Sequence, residues 1–186
     1  AASWGGEIRV SVNIAAAQVY GQDLAKVVHG VLRDTRLRPD LLEIEMTEES
    51  IIGDPERALR MFRELKRIGI TIAMDDYGTG YSSLANLRVF PFDKIKIDRA
   101  FISDVSTNPV SSAIVKSSLQ LASDLSIPVV AEGVEDPAHL EFLRIHKCAF
   151  AQGYLFGRPA PISSLLKSSD SLGRQIRGKL IRNAAA

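Results

Sequence analysis

Four acidic residues, an asparagine, a lysine and a glutamine stand at or near the ends of six short β-branched runs: Asn13, Glu45, the pair Asp75-Asp76, Lys96, Glu132 and Gln152. The candidate ligands among them are oxygen donors and none is His or Cys, a set suited to hard cations such as Mg²⁺ or Mn²⁺, with Ca²⁺ as an inhibitory or structural substitute. In a closed parallel sheet the strand ends share one rim, so Glu45, Asp75, Asp76 and Glu132 would crowd there with like charge that needs compensation. Divalent ions supply it. A bridging carboxylate, for which Asp75 is the candidate, can hold two ions about 3.5–4 Å apart, the arrangement that activates a water and stabilises both oxygens in phosphoester hydrolysis. Lys96, flanked by Ile95 and Ile97, points into the barrel mouth if those neighbours point outward, where its ammonium orients the water or offsets phosphate charge. The stretch Asp76-Tyr77-Gly78-Thr79-Gly80-Tyr81-Ser82-Ser83 sets two glycines among small hydroxyl residues directly before a helix. That composition suits a mobile loop closing near a substrate or partner, and a structural tight turn would use the same glycines.

These side chains need elements to position them. The six runs cover residues 8–12, 41–46, 70–74, 94–97, 127–131 and 149–152, and longer amphipathic segments separate them. That alternation predicts βα units around a parallel sheet. The clearest helix starts at Asp54-Pro55, carries Leu59, Phe62, Leu65 and Ile68, and stops at Gly69. A second is predicted over 111–125 with Ile114, Val115, Leu119 and Ala122 facing the sheet, and Pro128 bars its extension. A third begins at Asp136-Pro137 and carries Leu140, Phe142 and Leu143, and a fourth spans 24–32. Residues 163–181 read as a terminal helix with basic residues concentrated late, so 164–186 form a C-terminal helix and tail. An open doubly wound sheet and a barrel both fit this order. No dinucleotide glycine fingerprint follows the first run and no P-loop occurs, which favours the barrel. Six strands are two short of the usual eight, and the chain is under the roughly 250 residues typical of that fold.

At 186 residues and 46% hydrophobic, the chain suffices for one well-filled core, so residues 1–186 are expected to form a single domain. A net charge of +1 gives no broad electrostatic attraction to duplex nucleic acid or an anionic membrane. The single cysteine, Cys148, rules out an internal disulfide and favours a reducing, cytoplasmic setting. No apolar run reaches the roughly 18 residues of a membrane helix. His29, His139 and His146 share no ligand spacing and are read as non-catalytic, while Phe62, Phe92, Phe142 and Phe150 are read as packing. A start at Ala1 and a finish on three alanines fit a piece of something longer.

In order along residues 9–160, Ser11-Val12-Asn13, Glu45-Met46-Thr47-Glu48, Asp75-Asp76-Tyr77-Gly78-Thr79-Gly80, Lys96-Ile97-Asp98-Arg99, Ala131-Glu132-Gly133-Val134-Glu135 and Gln152-Gly153-Tyr154-Leu155-Phe156-Gly157-Arg158-Pro159 closely resemble the EAL phosphodiesterase family. The resemblance implies a modified eight-stranded TIM-like barrel that hydrolyses cyclic di-GMP to linear pGpG with two Mg²⁺ or Mn²⁺ ions. It implies Asn13, Glu45 and Asp75 as ligands of one ion and Asp75, Asp76 and Glu132 as ligands of the other. Lys96 matches the water-contacting lysine and Gln152 a polar residue of the same site. Glu48 resembles the glutamate that steadies the loop holding Gly78, Thr79 and Gly80, a loop linked in the family to dimerisation, and Glu135 matches a supporting acidic position. A homodimer and attached GGDEF or sensory domains follow from the same resemblance. Tyr77 stands where phenylalanine is common. The Glu-Ala-Leu motif itself does not occur in the 186 residues. The expectation is therefore an N-terminally truncated barrel with impaired hydrolysis and self-association across an open seam, the alternative being a catalytically inactive receptor or interaction module.

Overall fold

The computed structural model describes residues 8–21, 23–79 and 84–161. Its strands are β1 (Val10–Asn13), β2 (Leu42–Thr47), β3 (Thr71–Tyr77), β4 (Lys94–Ile97), β5 (Val129–Ala131) and β6 (Phe150–Ala151), paired in that order and all parallel. Parallel neighbours require crossovers, and helices supply them. α1 (Ala16–Gly21) and α2 (Leu24–Thr35) link β1 to β2; α3 (Glu49–Ile52) and α4 (Pro55–Ile68) link β2 to β3. α5 (Leu84–Val89) precedes β4, α6 (Arg99–Ile102) and α7 (Pro109–Asp124) precede β5, and α8 (Pro137–Ile145) precedes β6. Among the described residues β1 pairs only with β2 and β6 only with β5, so the sheet curls into a half-barrel without closing. The expected incomplete TIM-like α/β barrel of six strands is the architecture found.

Strand alternation divides the side chains between two faces. Ile44, Met46, Ile72, Met74, Ile95 and Ile97 are fully buried and form the apolar face, while Glu43, Glu45, Ala73, Asp75, Lys94 and Lys96 alternate with them. Beneath α4 lies an aromatic cluster in which the Phe62 ring sits 5.1 Å from both Phe90 and Phe92. The helix ends follow their signals. Asp54 accepts from the Arg57 amide at 3.0 Å and Gly69 closes α4, and Asp136 accepts from the Ala138 amide at 2.7 Å.

Several boundaries differ from the sequence reading. Asn108 caps α7 through the Val110 amide at 2.9 Å, so that helix begins at Pro109 and not at 111. β1 starts two residues later than the run at 8–12, and β6 is shorter than 149–152 because only Phe150 and Ala151 find partners on β5. On α4 the buried stripe is Ala58, Met61, Phe62 and Leu65, with Leu59 and Ile68 only half-buried at its margins. Ile114 is likewise half-buried, and Phe150 is 50% exposed in place of packing inside. The short helices α1, α3 and α6 went unpredicted. The terminal helix expected over 163–181 lies outside the described residues. The chain divides into two units, Ala1–Leu155, which holds every element above, and Phe156–Ala186.

Candidate functional site

β2 and β4 are separated by one strand, yet their side chains meet. The Lys96 Nζ lies 2.6 Å from Glu45 Oε2, 2.9 Å from Asp75 Oδ1 and 2.7 Å from Glu132 Oε1. Three separate segments thus converge on the ammonium of a fourth. Glu45 is in register with the fully buried Ala73 on β3, the strand that both side chains span to meet. Burial disfavours the charged ammonium, but the hydrogen bonds it donates to Glu132, Glu45 and Asp75 outweigh that and raise Lys96 above the ordinary lysine range. Lys96 is therefore a fixed positive charge, only 5% exposed.

Asp75 and Asp76 pose a geometric problem, because consecutive residues of a regular strand point to opposite faces. The structure solves it with an irregularity. The β3–β4 register shifts between Met74 and Tyr77, and Asp76 takes a left-handed φ of 54°. This bulge re-aims Asp76, so that oxygens of Asp75, Asp76 and Glu132 all lie within 4.8 Å of one another. Crowding shows in their proton affinities. Burial, and then the charges of Asp75 and Asp98, hold the Asp76 carboxyl above its ordinary range. Burial also raises Glu132; Lys96 opposes that shift, and Asp75 and Glu45 add to it. Glu45, Asp75, Asp76 and Glu132 gather around the single ammonium of Lys96, so carboxylates outnumber the cation there. An all-oxygen donor set with uncompensated charge fits a hard divalent cation, held by Asp75, Asp76 and Glu132.

The other expected residues take various places. Asn13 is exposed at the end of β1, in register with Glu45. Gln152 is exposed and joins the sheet through its backbone, which donates to Ala131 at 2.8 Å and accepts from Val134 at 3.0 Å. Glu48 is buried and accepts from Asn86 Nδ2 at 2.6 Å, tying the end of β2 to α5. Thr79 folds back on the Asp76 carbonyl at 2.9 Å, Gly78 has a φ of 98°, and Gly80 lies outside the described residues. Glu135 is exposed three residues beyond Glu132. Asp98 went unassigned in the sequence reading, although it stands beside Asp76 while capping α6 through the Ala100 amide at 2.9 Å. Its signal was its place directly after β4, the position that flagged the other acids.

Fold and site together define a TIM-like α/β barrel protein with an acidic cluster at the carboxyl ends of its strands. The chain belongs to the EAL domain family, whose model matches residues 1–159. It is 48% identical over 165 residues to an uncharacterized signaling protein of Caulobacter vibrioides, covering 89% of this chain and 20% of that one. It is 39% identical over 158 residues to the cyclic di-GMP phosphodiesterase NbdA of Pseudomonas aeruginosa, covering 85% and 20%. The chain thus spans about a fifth of the length of these relatives. Among solved structures, the MucR phosphodiesterase in complex with c-di-GMP superposes with a TM-score of 0.80 at 38% identity, covering 84% of this chain and 64% of that one. BlrP1 of Klebsiella pneumoniae, in a manganese and cyclic di-GMP complex, gives 0.78 at 34%, covering 83% and 40%. Among the described residues, no helix is long and apolar enough to cross a membrane.

Proposed function

We propose that this site hydrolyses cyclic di-GMP to linear pGpG with two divalent ions, Mg²⁺ or Mn²⁺. The observation that carries the reading is the convergence of Glu45, Asp75 and Glu132 on Lys96, with Asp76 turned into the same cluster. Relatives named as cyclic di-GMP phosphodiesterases and neighbours holding that dinucleotide support the substrate. Neighbours with manganese and with calcium support an ion site, with Ca²⁺ as the non-productive substitute. In this reading Asn13, Glu45 and Asp75 hold one ion and Asp75, Asp76 and Glu132 the other. Bound ions supply an activated water and stabilise charge on the departing oxygen. Lys96 orients that water and offsets phosphate charge, with Glu132 and Gln152 beside it. Glu48 steadies the loop of Gly78, Thr79 and Gly80, and Glu135 supports the Glu132 segment. Residues 1–186 are read as one domain of a longer, homodimeric, cytoplasmic protein carrying GGDEF or sensory domains, a reading supported by relatives several times its length.

One observation favours a second reading, a receptor or interaction module without turnover. Lys96 already holds three of the carboxylates, so the rim keeps its shape without an ion. Product analysis separates the two. Incubation with cyclic di-GMP and Mg²⁺ or Mn²⁺ is expected to yield pGpG, and Asp75→Asn is expected to abolish it. Dinucleotide recovered intact from the unaltered protein would overturn the enzymatic reading.

A further inference from the structure

Two residues nearer the start of β2 and β4, the same face carries a second charged layer. Glu43 is 3% exposed and Lys94 9%, and the Lys94 ammonium donates to Glu43 Oε2. Ser11 Oγ donates to Glu43 Oε1 at 3.0 Å, and an Arg9 guanidinium nitrogen lies 4.0 Å from Oε2. Lys94 Nζ also lies 5.8 Å from the centre of the Phe150 ring. Each layer therefore repeats one motif: a β4 lysine crosses β3 to reach a β2 glutamate.

Two like layers create a pairing ambiguity. They stand about 7 Å apart along the strands, within the swing of a lysine's four-carbon stem. Without Lys94, the buried Glu43 carboxylate would keep only the Ser11 hydroxyl and an Arg9 nitrogen 4.0 Å away, so it would attract whichever ammonium could reach it. Lys96 is the neighbour on the same strand and face. If it turned down to Glu43, Asp75 and Glu132 would lose their shared cation.

We propose that Lys94 is a positioning residue: by satisfying Glu43 it keeps Lys96 directed at Glu45, Asp75 and Glu132. A buried pair that only stabilises the fold would have no effect on where Lys96 points. The kinetic part of the test rests on the phosphodiesterase reading, and the structural part does not.

The experiment compares Lys94→Met with the double variant Glu43→Gln/Lys94→Met by crystallography and by cyclic di-GMP kinetics. In Lys94→Met, Lys96 Nζ is expected to pair with Glu43 and leave hydrogen-bonding distance of Glu132, and kcat to fall by roughly tenfold or more with little change in KM. The double variant, which removes both charges of the Glu43–Lys94 pair, is expected to return Lys96 to Glu132 and kcat to within about threefold of the parent. Lys96 still seated on Glu132 in the single variant, or a double variant as impaired as the single, would overturn the proposal. Should Lys94→Met fail to fold, Glu43→Gln decides instead. Its freed Lys94 is expected to take Glu45 from Lys96, and an intact Lys96–Glu45 contact counts against the idea. A parent protein with no turnover refutes the functional reading, while the position of Lys96 in these variants still settles this one.

Discussion

Lys96 reaches Glu45 at 2.6 Å across an entire intervening strand, on which the register partner of Glu45 is the fully buried Ala73. Ala73→Val places a branched side chain in a fully buried gap and is expected to cost about 1–3 kcal/mol of stability by overpacking. Denaturant midpoints measure that cost, and cyclic di-GMP hydrolysis is expected to fall with it because Lys96 is pushed off Glu45.

Lys96→Met removes the one cation shared by Glu45, Asp75 and Glu132. Leaving buried carboxylates without their partner typically costs about 3–5 kcal/mol, so the melting temperature without divalent ions should drop by many degrees. Added Mg²⁺ is expected to recover more stability in this variant than in the parent, because the ion meets greater uncompensated charge. Equal Mg²⁺ responses in the two proteins would show that the carboxylates do not depend on Lys96.

Gly133 follows Glu132 with a φ of 69°, and a Cβ there would stand 2.4 Å from Arg99 Cβ. Gly133→Ala combines a disfavoured backbone region with a clash against the first residue of α6, together expected to cost at least about 1–3 kcal/mol. Because Glu132 is anchored by its amide to the Ile97 carbonyl at 3.0 Å, the displaced loop moves a site carboxylate. Thermal melts and hydrolysis rates are expected to fall together, whereas an alanine at exposed Gly157, with nothing within 4 Å, should change neither.

Burial pushes the Cys148 thiol up to about 11, with the carbonyl oxygen of Phe150 3.3 Å from its sulfur. At pH 8 the thiolate fraction is then on the order of a hundredfold below that of an ordinary cysteine, and labelling by a thiol reagent should be slow by a similar factor. The rate is expected to climb tenfold per pH unit until the pH approaches about 11. Fast labelling at pH 8 would place this thiol in solvent.

Much of this arrangement could be read from the sequence, and the failures have physical causes. The strands were legible because β-branched runs such as 94–97 are bounded by turn residues, and α4 because Asp54-Pro55 and Gly69 mark its ends. The rim was legible because parallel strand ends must meet, which brought Glu45, Asp75 and Glu132 together as expected. Helices α1, α3 and α6 span six residues or fewer, too short to show a period. The bulge at Asp76 is a backbone property without a side-chain pattern, so only the structure shows how adjacent acids reach one cluster. Glu43 and Lys94 were passed over because they stand two residues before Glu45 and Lys96, away from the strand ends where a site was sought, and the curled sheet buries them.

The proposed ion site is tested most directly by anomalous scattering from crystals of the protein soaked in Mn²⁺. The account predicts manganese density bounded by Asp75, Asp76 and Glu132, lost in Asp75→Asn at the same soak concentration. Manganese absent from that cluster, or bound equally well without the Asp75 carboxylate, would contradict it.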